Sequence, residues 1–240
     1  MAESVEMKVV ARIRTDFGGK FGVPRQAGLV EELRGLVVFE PEYRNPDAVR
    51  GLEGFSHLWL IWEFSRSVRQ GWSPTVRPPR LGGNARMGVF ATRSPYRPSP
   101  IGLSSVRLEG IRRDPELGPV LEVSGADLMD GTPILDIKPY LAFTDSHPEA
   151  SGGFTEESSW PLLQVEFPPE LQDRIPEGKR AALRGVLELD PRPAYQEDPE
   201  RVYGLTFGNQ NIRFTVEGGV LTVRAVEDAA PESSGKENEA

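Results

Sequence analysis

The chain predicts a mainly β protein, a β-barrel domain over residues 1–150 followed by a small α+β domain over residues 160–226. Three observations carry that expectation. Short runs of β-branched and aromatic residues alternate with turn residues through the first half, as in an all-β sheet that closes on itself. From Ser146 to Ser159 the composition shifts to Ser, Gly and Glu, as in a linker. Beyond it, one helical stretch precedes three closely spaced strands.

Each element follows from its local pattern. Met7 to Thr15 alternates and is rich in β-branched residues, so it reads as a strand. Asp16 to Gly28 mixes glycines, a proline and basic residues and reads as a loop. Leu36 to Glu40 is a second strand, and Asp47 to Gly51 a short helical turn. Phe55 to Ser65 is the clearest strand. Its face Ser56, Leu58, Leu60, Trp62 and Phe64 is almost wholly apolar and belongs to a core. The opposite face, Phe55, His57, Trp59, Ile61 and Glu63, is mixed enough to line a site or an interface.

Arg66 to Arg86 is a Pro/Gly-rich segment without periodicity, and such long loops are commonly functional. Met87 to Thr92, Ser104 to Ile111, Val120 to Val123 and Ile134 to Ile137 read as further strands. In the last third, Gly178 to Leu189 reads as a helix. Val202 to Phe207, Asn211 to Val216 and Val220 to Val226 read as a meander. Residues 227–240 are acidic, lack aromatics and read as a disordered tail.

Composition narrows the chemistry. With no cysteine, disulfides, thiolate zinc sites and cysteine nucleophiles are excluded. Two histidines, His57 and His147, argue against a histidine-rich metal centre, and no metal is expected. No apolar stretch is long enough to span a bilayer, and MAESVEMKVV lacks a secretory pattern, so a cytoplasmic protein is expected.

Charge is distributed unevenly. From Phe64 to Leu108 there are eight arginines, no lysine and no acidic residue, within a chain of net charge −8. Guanidinium groups fork onto phosphates and stack on bases, so an RNA or a phosphorylated ligand is the partner this run suggests.

Four segments carry candidate chemistry. In Val23-Pro24-Arg25-Gln26 the proline fixes the backbone while Arg25 and Gln26 offer donors to a carboxylate, a phosphate or a purine edge. In Gly71 to Arg86, Arg77, Arg80 and Arg86 with Trp72 combine phosphate contacts with a stacking plane, as single-stranded RNA recognition requires. Ala91 to Leu103 is stiffened by Pro95, Pro98 and Pro100, which holds Arg93 and Arg97 at low entropic cost. In Asp127-Leu128-Met129-Asp130-Gly131, two carboxylates could bind an ammonium group, ribose hydroxyls or a base amine, or simply cap an Asx-type turn. Mid-strand, His57 reads as a hydrogen-bonded structural residue rather than a base.

Taken in order, VPRQAGLV, AVRGLEGFSHLWLIWEFS, GWSPTVRPPRLGGNARMGVFATRSPYRPSPIGLS and DLMDGTPILDIKPY closely resemble the TsaA-like tRNA methyltransferases of the TrmO family. The C-terminal VLELDPRPAYQED is similar to that family's bacterial appendage. The resemblance implies a β-barrel methyltransferase, active as a homodimer. It implies transfer of a methyl group from S-adenosyl-L-methionine to N6 of threonylcarbamoyladenosine, beside the anticodon of threonine tRNA. Carried onto this chain, it implies a donor site drawn from Pro24, Arg25, Gln26, Phe64, Ser65, Arg93, Leu103, Gly125, Ala126, Asp127, Leu128 and Asp130. Arg77, Arg80, Arg86 and Arg97 are then left for RNA. Many relatives carry histidine in place of Ser65 and asparagine in place of Ser99. Two other readings stand beside this one: a non-catalytic module that clamps an anticodon loop, and a nucleotide-processing enzyme that uses Asp127 and Asp130 with a metal.

Overall fold

The computed structural model describes residues 4–67, 72–78, 85–156, 161–192 and 198–229. Strands β1 (Ala11–Arg14), β2 (Arg34–Phe39) and β3 (His57–Glu63) open the fold. Two short strands, β4 (Thr75–Val76) and β5 (Met87–Gly88), pair with each other. Then come β6 (Ile101–Asp114), β7 (Gly118–Ser124) and β8 (Pro133–Pro139). The six longer strands pair antiparallel in the order β1-β2-β7-β6-β3-β8, and β8 pairs again with β1. Each of the six therefore has two hydrogen-bonded neighbours.

Side-chain alternation fixes which face of this sheet is buried. Along β3, Leu58, Leu60 and Trp62 are buried while His57, Trp59, Ile61 and Glu63 are only partly so, the two faces read from the sequence. Those buried residues meet Ala11, Ile13, Val37, Val106, Leu121, Val123 and Ile134 in one apolar core. Trp62 lies opposite Gly102 of β6, and its indole covers the space a side chain would take there. A Cβ at Gly102 would sit 2.2 Å from Trp62 Cε2. The indole has little freedom to move, because its Nε1–H donates to Ser104 Oγ at 2.9 Å.

A second sheet runs β10-β11-β12-β9, formed by β9 (Gln164–Glu166), β10 (Tyr203–Phe207), β11 (Gln210–Glu217) and β12 (Val220–Asp228). Its β9 is parallel to β12, a pairing the sequence pattern did not suggest. Helices α1 (Ala142–Asp145) and α2 (Pro169–Gln172) are single turns; α3 (Glu177–Glu188) is the longest helix among the described residues. Ala182, Leu183, Val186 and Leu187 form the buried stripe of α3. They share a second core with Leu205, Phe207, Ile212, Phe214, Leu221 and Val226.

This second core also contains Phe17, Val30 and Leu33, which lie between β1 and β2. The segment expected as a plain loop, Asp16 to Gly28, is thus anchored by apolar burial at Phe17 and, just past its end, at Val30 and Leu33, each such side chain contributing about 1.5–3 kcal/mol relative to exposure.

Three expectations need correction. Met87 to Thr92 is a strand only at Met87–Gly88; Val89–Ala91 turns into a 3-10 helix, closed by Thr92 N–H and Oγ1 both donating to Val89 O. Between Arg66 and Arg86 the chain is not wholly irregular, since Thr75–Val76 pairs with β5. The acidic tail does not begin at Glu227, because β12 runs on through Asp228. There Arg213 Nε lies 3.3 Å from Glu227 and Gln210 Nε2 donates to Asp228 Oδ1 at 3.3 Å, so polar partners on β11 hold the acids in the ladder. Residues 230–240 lie outside the described residues.

The Trp62–Gly102 contact gives a direct expectation. Replacing Gly102 by Ala forces the indole or β6 to shift and should lower unfolding free energy by about 1–3 kcal/mol. A urea unfolding curve with an unchanged midpoint would contradict that packing.

Candidate active site

Three loops and two strand ends converge at one end of the six-stranded sheet. The first loop, Val23 to Gly28, leaves the second core and is tied across by Gly28 N–H donating to Gly125 O at 2.9 Å. At its tip, Gln26 Oε1 accepts from Arg93 Nη1 while Gln26 Nε2 donates to Arg25 O. The second loop is the proline-stiffened stretch before β6. Its Pro100 O accepts from Phe64 N–H at 2.9 Å, which joins it to the end of β3. The third loop follows β7, where Gly125 turns at φ 73°. A side chain there would be both strained and within 3.4 Å of Gly28.

Asp127 stands where these loops meet. Its Oδ1 accepts from Ser104 Oγ at 2.5 Å, and Ser104 in turn accepts from the Trp62 indole. Ser104 is 2% exposed, so this relay is shielded from water. Burial pushes the Asp127 carboxyl above its ordinary value. The Ser104 hydroxyl, its own N–H, the nearby Arg93 guanidinium and the Ala27 N–H oppose that shift without cancelling it. The result is a half-buried carboxylate, desolvated but oriented, beside an exposed guanidinium and an amide. A ligand with a cationic or hydroxyl-bearing part facing Asp127 and an anionic part facing Arg93 matches these charges.

Not all the expected residues gather here. Gln26, Arg93, Gly125 and Asp127 do, and the Ala126 and Leu128 side chains are buried in the core beneath them. Phe64 packs its ring 4.3 Å from that of Trp62, at the edge of the group. Ser65 is exposed just beyond. Pro24 and Arg25 face a cleft of about 480 Å³ shared with Leu189 and Arg192 of the C-terminal part.

Two expected residues point elsewhere. Asp130 Oδ1 accepts from Thr15 N–H at 2.9 Å and its own N–H donates to Phe17 O, so this carboxylate caps a turn and does not face Asp127. Leu103 neighbours Ser104 on β6, hence points to the opposite face, where it is 53% exposed. Ser104 and Trp62 are the residues sequence reasoning missed as a unit. A serine inside an apolar strand is the only signal that marks them.

The arginine run divides in space. Arg66 Nη1 donates to Gly18 O at 2.8 Å, Arg97 Nη1 to Thr92 O at 3.2 Å, and Arg86 Nη1 to Thr75 Oγ1 at 3.3 Å. Arg107 reaches Glu109 at 3.7 Å. Arg77 is exposed, and Arg80 lies outside the described residues. Among the described residues no carboxylate lies within ion-pair distance of Arg66, Arg77, Arg86 or Arg97, while Arg93 stands near the Asp127 carboxyl. His57 is held by Ser56 Oγ at 2.9 Å and lies edge-on to Tyr140, as a structural histidine would. No group of three or more His, Asp or Glu among the described residues could hold a metal.

The shifted carboxyl has a testable sign. A carboxyl whose pKa is raised on folding binds more protons in the folded state, so stability falls as pH rises from the ordinary carboxylate range through the raised value. Asp127→Asn removes that loss. Its melting temperature should exceed that of the unsubstituted protein at pH 7, with the gap closing near pH 4. An equal gap at both pH values would mean that Asp127 is not strained by burial.

The chain is similar to known proteins along most of its length. The model of the tRNA-methyltransferase O N-terminal domain matches residues 12–146, and that of the TrmO C-terminal domain residues 161–229. A tRNA (adenine(37)-N6)-methyltransferase of Escherichia coli K12 is 42% identical over 233 residues, 93% of this chain and 98% of the relative. One of the same name from Eikenella corrodens is 46% identical over 173 residues, 72% and 97% of the two chains. The crystal structure of TrmO from Pseudomonas aeruginosa superposes with a TM-score of 0.75 at 30% identity, covering 94% of this chain and all of that one. With both family models matched in order and the Gln26, Arg93 and Asp127 loops brought together at one end of the sheet, this chain belongs to the tRNA-methyltransferase O family.

Proposed function

We propose that this chain is an S-adenosyl-L-methionine-dependent tRNA methyltransferase acting on N6 of threonylcarbamoyladenosine, next to the anticodon of threonine tRNA. The observation that carries the reading is the convergence of Gln26, Arg93 and Asp127 on a shielded Ser104–Trp62 relay, in a chain of this family. The residues fit the donor chemically. Asp127 offers a desolvated carboxylate to an ammonium, a sulfonium or ribose hydroxyls, and Arg93 a guanidinium to a carboxylate.

When bound, the donor supplies a methyl group already activated by its sulfonium. Transfer to nitrogen then needs in-line approach more than a strong base, so the protein's task is to bind and orient. Ser104 fixes the Asp127 carboxylate in one orientation. Gln26 and Arg93 hold two loops against each other over it. Trp62 and Phe64 close the floor with apolar surface and keep water from the site. In this reading the six paired strands act as a barrel scaffold over residues 1–150, residues 160–226 form the appended domain, and the enzyme works in the cytoplasm, where tRNA is found.

We further read the outer face of β3 and β6 as a homodimer surface. Leu103 and Ile101 are exposed there, and Leu103 points away from Asp127. In this reading Leu103 serves the donor site of a second copy.

Two measurements test this function. Mass spectrometry of tRNA nucleosides, with and without the protein, should show methylated threonylcarbamoyladenosine only when it is present; an unchanged profile would count against the enzyme. For RNA binding, replacing Arg77 and Arg86 by Glu should weaken tRNA affinity and lower the log–log salt slope by about 0.7–0.9 per lost phosphate contact. Unchanged affinity would return these arginines to a solvated loop.

A further inference from the structure

The loop that carries Gln26 is gripped from behind by the C-terminal part of the chain. At its start, Asp16 pairs with Lys179 of α3, and Gly208 N–H donates to Asp16 O at 2.8 Å. Phe17 is 1% exposed and packs edge-on to Phe207 at 5.5 Å. Gly22 adopts φ 84°, and a Cβ there would sit 2.2 Å from Leu205 Cδ1, so the backbone itself lies on β10. At the far end, Val30 and Leu33 are buried in the same core. A Cβ on Gly185 of α3 would sit 2.8 Å from Val30 Cγ1, so the Val30 side chain packs directly on the helix backbone.

Between these anchors, Pro24 and Arg25 border the cleft shared with Leu189 and Arg192, and the chain then turns toward the first sheet. It reaches Arg93 through Gln26 and Gly125 through Gly28. A loop pinned on both sides of a short free span has few conformations to lose when a ligand binds. The second sheet and α3 supply the pins.

We infer that the C-terminal α+β part is a positioning element of the methyl-donor site, with Leu205 of β10 and Lys179 of α3 holding the Pro24–Gly28 span in its binding conformation. This rests on the methyltransferase reading above and gives the C-terminal part a role in donor binding that does not require it to touch RNA. Leu205 is a positioning residue because it contacts Gly22 and acts through the loop.

The test uses the full chain and calorimetric titration with S-adenosyl-L-methionine, alongside kinetics on tRNA. Leu205→Ala should weaken donor binding about tenfold and raise the donor KM similarly, with kcat at saturating donor within about twofold and tRNA affinity unchanged. Leu205→Met, which refills the space, should restore donor affinity. Val165→Ala on β9, at the opposite edge of the same sheet, should leave donor affinity unaltered. If Leu205→Ala does not fold, Lys179→Met replaces it, with a donor KM raised about threefold and recovered in Lys179→Arg. Unchanged donor affinity in a folded Leu205→Ala or Lys179→Met protein would overturn the inference, as would an equal loss in Val165→Ala. If the unsubstituted protein binds no donor at all, the methyltransferase reading fails first, and this inference with it.

Discussion

Burial of Phe17, Val30 and Leu33 under the second sheet is the constraint on which the rest of the structure depends. It makes one connection, between β1 and β2, a member of two cores at once. β1 and β2 belong to the first sheet and pair from Ala11↔Phe39 to Arg14↔Leu36. The chain between them must therefore leave that sheet, cross the second core and return within a short length. The free span left over is short, and it delivers Gln26 to Arg93 and Gly28 to Gly125. Apolar packing thereby sets polar geometry, in the sense that oily anchors decide where an amide and a guanidinium meet.

The Trp62–Ser104–Asp127 relay shows the same economy on the other side of the site. Gly102 leaves room for the indole, the indole orients the serine, and the serine orients a carboxylate that burial has made costly to ionise. A buried polar group is tolerated when its partners are satisfied, and here each member supplies the next. The arginines need no such support. Arg66, Arg86 and Arg97 of the acid-free run donate to main-chain or hydroxyl oxygens rather than to carboxylates.

Local patterns in the chain were legible where one period dominates. The faces of β3 follow from alternation between Leu58, Leu60, Trp62 and their neighbours, and α3 lies within one residue of the stretch its apolar spacing suggests. What depends on distant partners was not legible. Phe17, Val30 and Leu33 have no shared period, so nothing local marks them as anchors of a core built mainly from residues beyond Val165. Asp127 and Asp130 look like a pair in sequence, yet one turns toward Ser104 and the other, in the Met129–Thr132 turn, toward Thr15. Ser104 lies 42 residues from Trp62 and 23 from Asp127, and only strand register brings the three together. The end of β12 was misplaced for a related reason: Glu227 and Asp228 read as solvated tail until Arg213 and Gln210 are seen across the ladder.

In the proposed reading, this arrangement holds a methyl donor for transfer to a modified adenosine. Purified full-length protein incubated with S-adenosyl-L-methionine labelled in its methyl group should pass label to threonine tRNA that carries threonylcarbamoyladenosine. After digestion, the label should co-migrate with the N6-methylated form of that nucleoside. No label in any nucleoside, from protein shown to be folded and from tRNA shown to carry the modification, would contradict this methyl transfer.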